Sequence, residues 1–371
     1  MLALGFLNIQ NNEDIKNQIT SNNNSMLAIQ RKVFGGSQIG AFIVNRETFR
    51  NYDFLQANDK YNRVLGVDYN LASSNNKWIG KFYTHKSFKP NDKEGNLSSF
   101  ASILYNTRIW RIYSNAVFVD EDFRSDLGFI RRTGIIKTGN RLTRNFYPKT
   151  GKINSHSFRF VHQSYLQQNL NFFKTDETFN FEYSLNTNNQ NQLQFGFNNK
   201  YVFLFNSFDP SRKSGAIALP TDSDYNYNEW NLSYRRNFAN PFIFNSELTY
   251  GGFFNGTKLS STGTIGYRFQ PKFIFTLQWD YNKIELPKPY SSNDIILIRP
   301  KFDFTFTKNI FWSTLIQYSN LTNNLGINSR LQWRFAPLSD VYLVYNDNYY
   351  TEEFGPVFRS INLKLTYWLN L

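Results

Sequence analysis

The chain has 371 residues, no Cys and only three His, which excludes disulfide frameworks, thiol nucleophiles and thiolate metal sites and leaves little for a histidine-rich metal centre. Phe, Tyr and Trp number 38, 23 and 7, and such side chains favour pleated strands. The net charge of +13 is spread out, with only short pairs such as Arg131-Arg132 and Arg235-Arg236, so it reads as solvated loops and a polar interior before it reads as a nucleic-acid groove.

Mean hydropathy is −0.50 although 41% of the residues are hydrophobic. No stretch approaches the ~18 continuous apolar residues of a transmembrane helix. Strands that alternate lipid-facing and polar residues reconcile the two numbers.

The opening MLALGFLNIQNNED has no basic n-region, and its apolar run is broken by Gly5 and Asn8, so it is not read as a signal peptide. The expectation is a single domain over residues 1–371 that forms the C-terminal part of a longer protein. The strand near 2–9 should pair with the last one near 361–371 or with something upstream. Long connections are expected near 10–24, 47–59, 88–96 and 120–125. Short turns are expected at Gly35-Gly36-Ser37, Ser73-Ser74-Asn75-Asn76 and Asn106-Thr107. Leu65, Val67, Tyr69 and Leu71 alternate with Gly66, Asp68 and Asn70, which gives one apolar and one polar face.

Residues 139–151 are placed in a connection on the short-turn side. Phe179, Phe181, Tyr183 and Leu185 alternate with Asn180, Glu182, Ser184 and Asn186. Phe273, Phe275, Leu277, Trp279 and Tyr281 alternate with Ile274, Thr276, Gln278, Asp280 and Asn282. Leu325, Ile327, Leu331, Trp333 and Phe335 alternate with Gly326, Asn328, Arg330, Gln332 and Arg334. These runs extend over about ten residues, the length of a tilted transmembrane strand rather than of an ordinary soluble one. Short turns near 188–191, 237–241, 270–272, 308–309 and 336–339 alternate with longer connections near 207–226, 285–294, 319–324 and 346–356. The tight turn at Asn255-Gly256-Thr257 is the exception. This parity predicts roughly 20 strands in an all-β, antiparallel, up-and-down transmembrane barrel, located in a bacterial outer membrane and bounded by its lipid.

Three phrases are similar to a Bacteroidota outer-membrane barrel family, domain of unknown function 5916. They are the segment from Tyr61 to Tyr69 (YNRVLGVDY), that from Asp126 to Gly134 (DLGFIRRTG), and that from Asn328 to Asn348 (NSRLQWRFAPLSDVYLVYNDN). Leu4-Gly5-Phe6-Leu7-Asn8 and Ile39-Gly40-Ala41-Phe42 followed by Asn45-Arg46 extend the resemblance over most of the chain. It implies a membrane barrel and no defined catalytic motif. The carbohydrate-binding-like module that usually precedes such barrels has no counterpart here, so its sugar binding does not transfer.

The polar faces nominate Asp68, Asn70, Glu182, Asp280, Arg330 and Arg334 as lumen-lining. The charged motif Asp126, Arg131, Arg132, preceded by Asp120, Glu121 and Asp122, reads as an ion-paired plug, as a charged constriction, or as a structural salt-bridge network. Arg131 and Arg132 are read as adjacent on a strand, where they face opposite ways and only one lines the lumen. His156, His162 and Phe158 share one parity, and Ser155 cannot readily meet His156, so a Ser–His hydrolase has weak support. No cofactor or metal is expected, and no nucleic acid, since the aromatics share their faces with Leu, Ile and Val. The functional expectation is a structural barrel or one that binds or passes a small solute or glycan. The alternatives are an outer-membrane hydrolase with a rim active site and a soluble carbohydrate-binding β protein.

Overall fold

In the computed structural model the described residues are 2–91, 94, 96–352 and 355–369. Twenty strands join one antiparallel sheet, and each ladder described links strands consecutive in the chain, so the connectivity is up-and-down. This is the all-β class and the strand number expected from alternation and turn parity. The contacts divide the chain into two compact units.

The first unit contains β1 (Leu2–Asn11), β2 (Asn22–Val33), β3 (Ser37–Glu47), β4 (Tyr61–Ala72), β5 (Trp78–Phe88), β6 (Leu97–Asn106), β7 (Trp110–Val119) and β8 (Ile135–Phe146) but for its last residue. Its registers carry one face from strand to strand. Phe6 opposes Leu27, Leu27 opposes Ile43, and Ile43 opposes Leu65. Leu4, Phe6, Leu27, Ile43 and Leu65 are all exposed. The opposite face carries Gly40 beside Asp68, Asp68 beside Tyr83, and Asn70 beside Lys81. On it, the rings of Phe42 and His85 meet edge to face at 4.9 Å over Gly66, where a Cβ would lie 2.3 Å from the Phe42 ring. Glycine is required there because two aromatic side chains occupy the volume of a third.

β9 (Ile153–Gln167), β10 (Phe173–Thr187) and β11 (Gln192–Leu204) contribute to both units. The second unit holds β12 (Ser223–Arg235), β13 (Phe242–Phe253), β14 (Gly256–Phe269), β15 (Phe273–Glu285), β16 (Asn293–Thr307), β17 (Ile310–Ser319), β18 (Asn324–Ala336), β19 (Ser339–Tyr350) and β20 (Pro356–Thr366). Leu277 lies between Ile265 and Pro300, whereas Gln278 lies between Thr264 and Arg299. The alternation of β15 is therefore a real division of faces. An aromatic row edges the apolar face near the short turns. Ring centroids are 6.0 Å apart for Phe269–Phe273, 4.6 Å for Phe273–Phe304, 5.3 Å for Phe304–Trp312 and 6.3 Å for Phe335–Tyr367. Further along the same face of β15, the Trp279 indole lies across Gly263 and donates to Ser261 Oγ at 3.1 Å.

Three expectations are corrected. Residues 139–146 belong to β8, and the connection is 147–152. Asn140 and Thr138 on one face and Lys137 and Arg141 on the other make both faces polar, which hides the strand from an alternation reading. β19 runs to Tyr350, beyond the expected break at 346. The connection after β7 spans residues 120–134, far longer than 120–125, and Arg131 and Arg132 lie in it rather than on a strand.

The connection after β1 is tied to the one after β3. The Tyr52 hydroxyl donates to Glu13, and Arg50 Nη1 lies 3.0 Å from Glu13 Oε1. The Tyr52 hydrogen bond, helped by the Arg50 charge and opposed by desolvation, holds the Glu13 carboxyl below its ordinary value of 4.5. A depressed carboxyl stabilises the contact fully above its unfolded pKa and loses that contribution as pH falls through the folded one. We expect amide protection over residues 13–20, corrected for intrinsic exchange, to fall on acidification through that window, and Glu13→Gln to abolish the pH step. An unchanged step in the Gln variant would show that Glu13 is not its origin.

Candidate functional site

The segment 120–134 folds back onto the face of the first unit that carries Asp68 and Asn70. Phe123 is buried with Val64, Val119 and Ile135, and Phe42, Val117, Ile130 and Tyr165 pack around them. Register places Val64 beside Val44 and Val117 beside Lys137, on the face shared with Phe42. Among the described residues only seven hydrophobic side chains are buried, and four of them form this cluster. The small apolar core of this protein therefore serves mainly to seat one connection on the sheet.

Polar contacts complete the seat. Asn62, 3% exposed, donates to Arg124 O at 3.0 Å and accepts from Asp126 N at 2.9 Å. Ser87 Oγ, fully buried, accepts from Arg124 N at 3.2 Å, and Leu97 N donates to the Asp120 carboxylate at 2.9 Å. Asp126 sits between Arg46 Nε at 2.7 Å and Arg124 Nε at 2.6 Å. The Arg46 contact lies off the N–H axis, so it acts as an ion pair rather than a hydrogen bond. Arg124 also reaches Asp59 at 2.7 Å. Burial pulls the Arg124 guanidinium down, but the hydrogen bonds and charges of Asp59 and Asp126 outweigh it and leave its pKa raised.

The charged motif is thus brought to an ion-paired network, but not with itself. Asp126 pairs with Arg46 and Arg124, and Arg132 pairs with Asp176 at 2.7 Å while lying over the Tyr165 ring. Ser87 and Asp176 carry no mark in the sequence, and Arg46 and Asn62 stand out only as members of the phrases that carry the family resemblance. Each lies at least 37 residues from its partner, and no local spacing marks it.

Asn70 donates to Asp68 at 2.9 Å. Ser184 Oγ donates to Glu182 at 2.8 Å. In the second unit Asp280 accepts from Asn282 at 2.6 Å and borders a polar cavity of about 580 Å³ with Arg235, Glu247, Gln278 and Arg299. Arg330 and Arg334 share the polar face of β18; Arg334 pairs with Asp340 at 3.3 Å, and Arg330 stands between Ser313 and Val344. The structure therefore groups Asp280 with Arg299 and Arg235, not with Arg330.

All three histidines make ring contacts. His156 stacks on Phe146 at 4.8 Å, and His162 stacks on Phe179 at 4.5 Å with Glu177 3.1 Å from Nε2. Ser155 Oγ accepts from Asn186 at 3.3 Å. Among the described residues no three His, Asp or Glu side chains gather as a metal site. Neither a family model nor a curated protein matches the chain.

Proposed function

We propose that the sheet closes into a barrel spanning a bacterial outer membrane, and that the barrel binds or passes a small solute past the segment 120–134. One observation carries this reading. In each unit one face of the sheet is largely apolar and exposed, β8 excepted, while charged and amide side chains gather mainly on the other face. Leu65 and Val67 are 45% and 58% exposed in the first unit, and Trp230, Leu331 and Trp333 are 40–50% exposed in the second. Water would penalise an apolar surface of this extent, and lipid rewards it. From Phe273 to Tyr281 the chain rises about 27 Å at about 3.4 Å per residue. At a tilt of about 40° that length spans about 21 Å of height, most of an apolar band of about 25 Å edged by aromatic girdles. The resemblance to the Bacteroidota barrel family supports the same reading.

Closure requires β1 and β20 to pair, because an unpaired edge in hydrocarbon costs several kcal/mol per backbone group. The chain has no Cys, so paired Cys substitutions across these two strands report on closure without background. Folded protein in detergent should migrate faster on a gel before boiling than after, and in a planar bilayer it should give discrete conductance steps or a silent, plugged state that mutation opens. Retention of solubility without detergent, with no shift on boiling, would refute the membrane reading.

A further inference from the structure

The seat of segment 120–134 leaves a cavity of about 500 Å³ between the segment and the sheet. We propose that this cavity binds a single-chain anionic amphiphile, an alkyl carboxylate, with its chain inside and its head at the arginine pair; this deepens the solute-binding reading and rests on it. The walls are mostly apolar, formed by Phe42, Val44, Val64, Val117, Val119 and Ile135, with the polar side chains of Tyr83, His85 and Ser98 among them. The volume falls in the range of small-molecule sites, which are largely apolar with few charged groups.

The charged side chains that line the cavity, Arg131, Arg132 and Lys137, are all cationic. Arg131 and Arg132 line it and are exposed, and Lys137 lines it beside them. Asp176 offsets Arg132, and Lys137 lies 5.0 Å over the Tyr165 ring. Arg131 adds a further positive charge to a space with no Asp or Glu among its lining residues. Electrostatic complementarity therefore selects an anion over a cation.

The segment also displays apolar side chains at that opening. Phe129 is 90% exposed and Leu127 is 47% exposed, and both line the cavity. An alkyl chain entering the cavity would cover them, and an aromatic side chain removed from water is worth enough to shift affinity by about tenfold.

The test is equilibrium dialysis of radiolabelled dodecanoate against the full chain in nanodiscs, with empty nanodiscs subtracted. Phe129→Ser and Arg131→Glu alter exposed side chains, so neither disturbs the seat. Saturable binding weakened about tenfold by Phe129→Ser and about fivefold by Arg131→Glu, and unchanged by the remote Lys308→Glu, is the expected result. Dodecyltrimethylammonium binding as tightly as dodecanoate would overturn the proposal. So would an absence of saturable binding, or variants that bind as the parent does. Incorporation into the discs is scored separately. A chain that fails to incorporate refutes the membrane reading, and the same dialysis with the protein held in an amphipathic polymer then still decides the cavity.

Discussion

On the membrane reading proposed above, Leu277→Arg should destabilise the protein in lipid vesicles by about 2–4 kcal/mol, as a lipid-facing cation near the midplane does. Leu277 lies about midway between Phe273 and Tyr281 and is flanked on its face by Ile265 and Pro300. Its neighbour Gln278 points the other way, between Thr264 and Arg299. Gln278→Arg places a cation opposite Arg299, which costs roughly 0.2–1 kcal/mol, and Asp280 on the same face offsets part of that. Denaturant titration of the two variants side by side measures the difference. Equal midpoints would mean that the exposed apolar face does not meet hydrocarbon, and the membrane reading would fall.

The second large effect is expected at Asp126. Its carboxylate and the Arg46 guanidinium are each 14% exposed, so Asp126→Ala leaves a largely buried cation without its partner. Breaking a fully buried pair costs about 3–5 kcal/mol. Here Arg46 keeps its hydrogen bond to Asn22 at 3.1 Å, so about 2–3 kcal/mol is expected. That loss falls on the seat of segment 120–134 rather than on the strand ladders. Tryptic cleavage at Arg124, Arg131 and Arg132 should rise roughly 30- to 140-fold, since each 1.4 kcal/mol is a factor of ten in the open population. Unfolding of the whole chain should change far less. Asp126→Asn, which keeps hydrogen-bonding capacity but no charge, should fall between the two. Cleavage at the parent rate in both variants would show that the ion pair does not hold the segment down.

Side-chain period was enough to place the strands. Phe273, Leu277 and Gln278 declare their faces because a pleat reverses every residue, and the short turns fix where each strand must reverse. The same logic failed at β8, where Lys137, Thr138, Asn140 and Arg141 put polar groups on both faces, and at Arg131-Arg132, where a charged pair without alternation carried no sign of strand or loop.

What the sequence by itself determined is therefore everything that depends on neighbours one or two residues apart: the all-β class, the number of strands, the positions of the short turns and the two faces of each clear strand. Only the tertiary structure decided what sits on those faces. It folds residues 120–134 onto the sheet, joins Asp126 to Arg46 rather than to Arg131 or Arg132, and groups Asp280 with Arg299 rather than with Arg330. The reason is physical. Strand periodicity is a local steric property, whereas an ion pair or a buried Phe123 is set by chain segments that meet after tens of residues, and many such meetings satisfy the same local pattern.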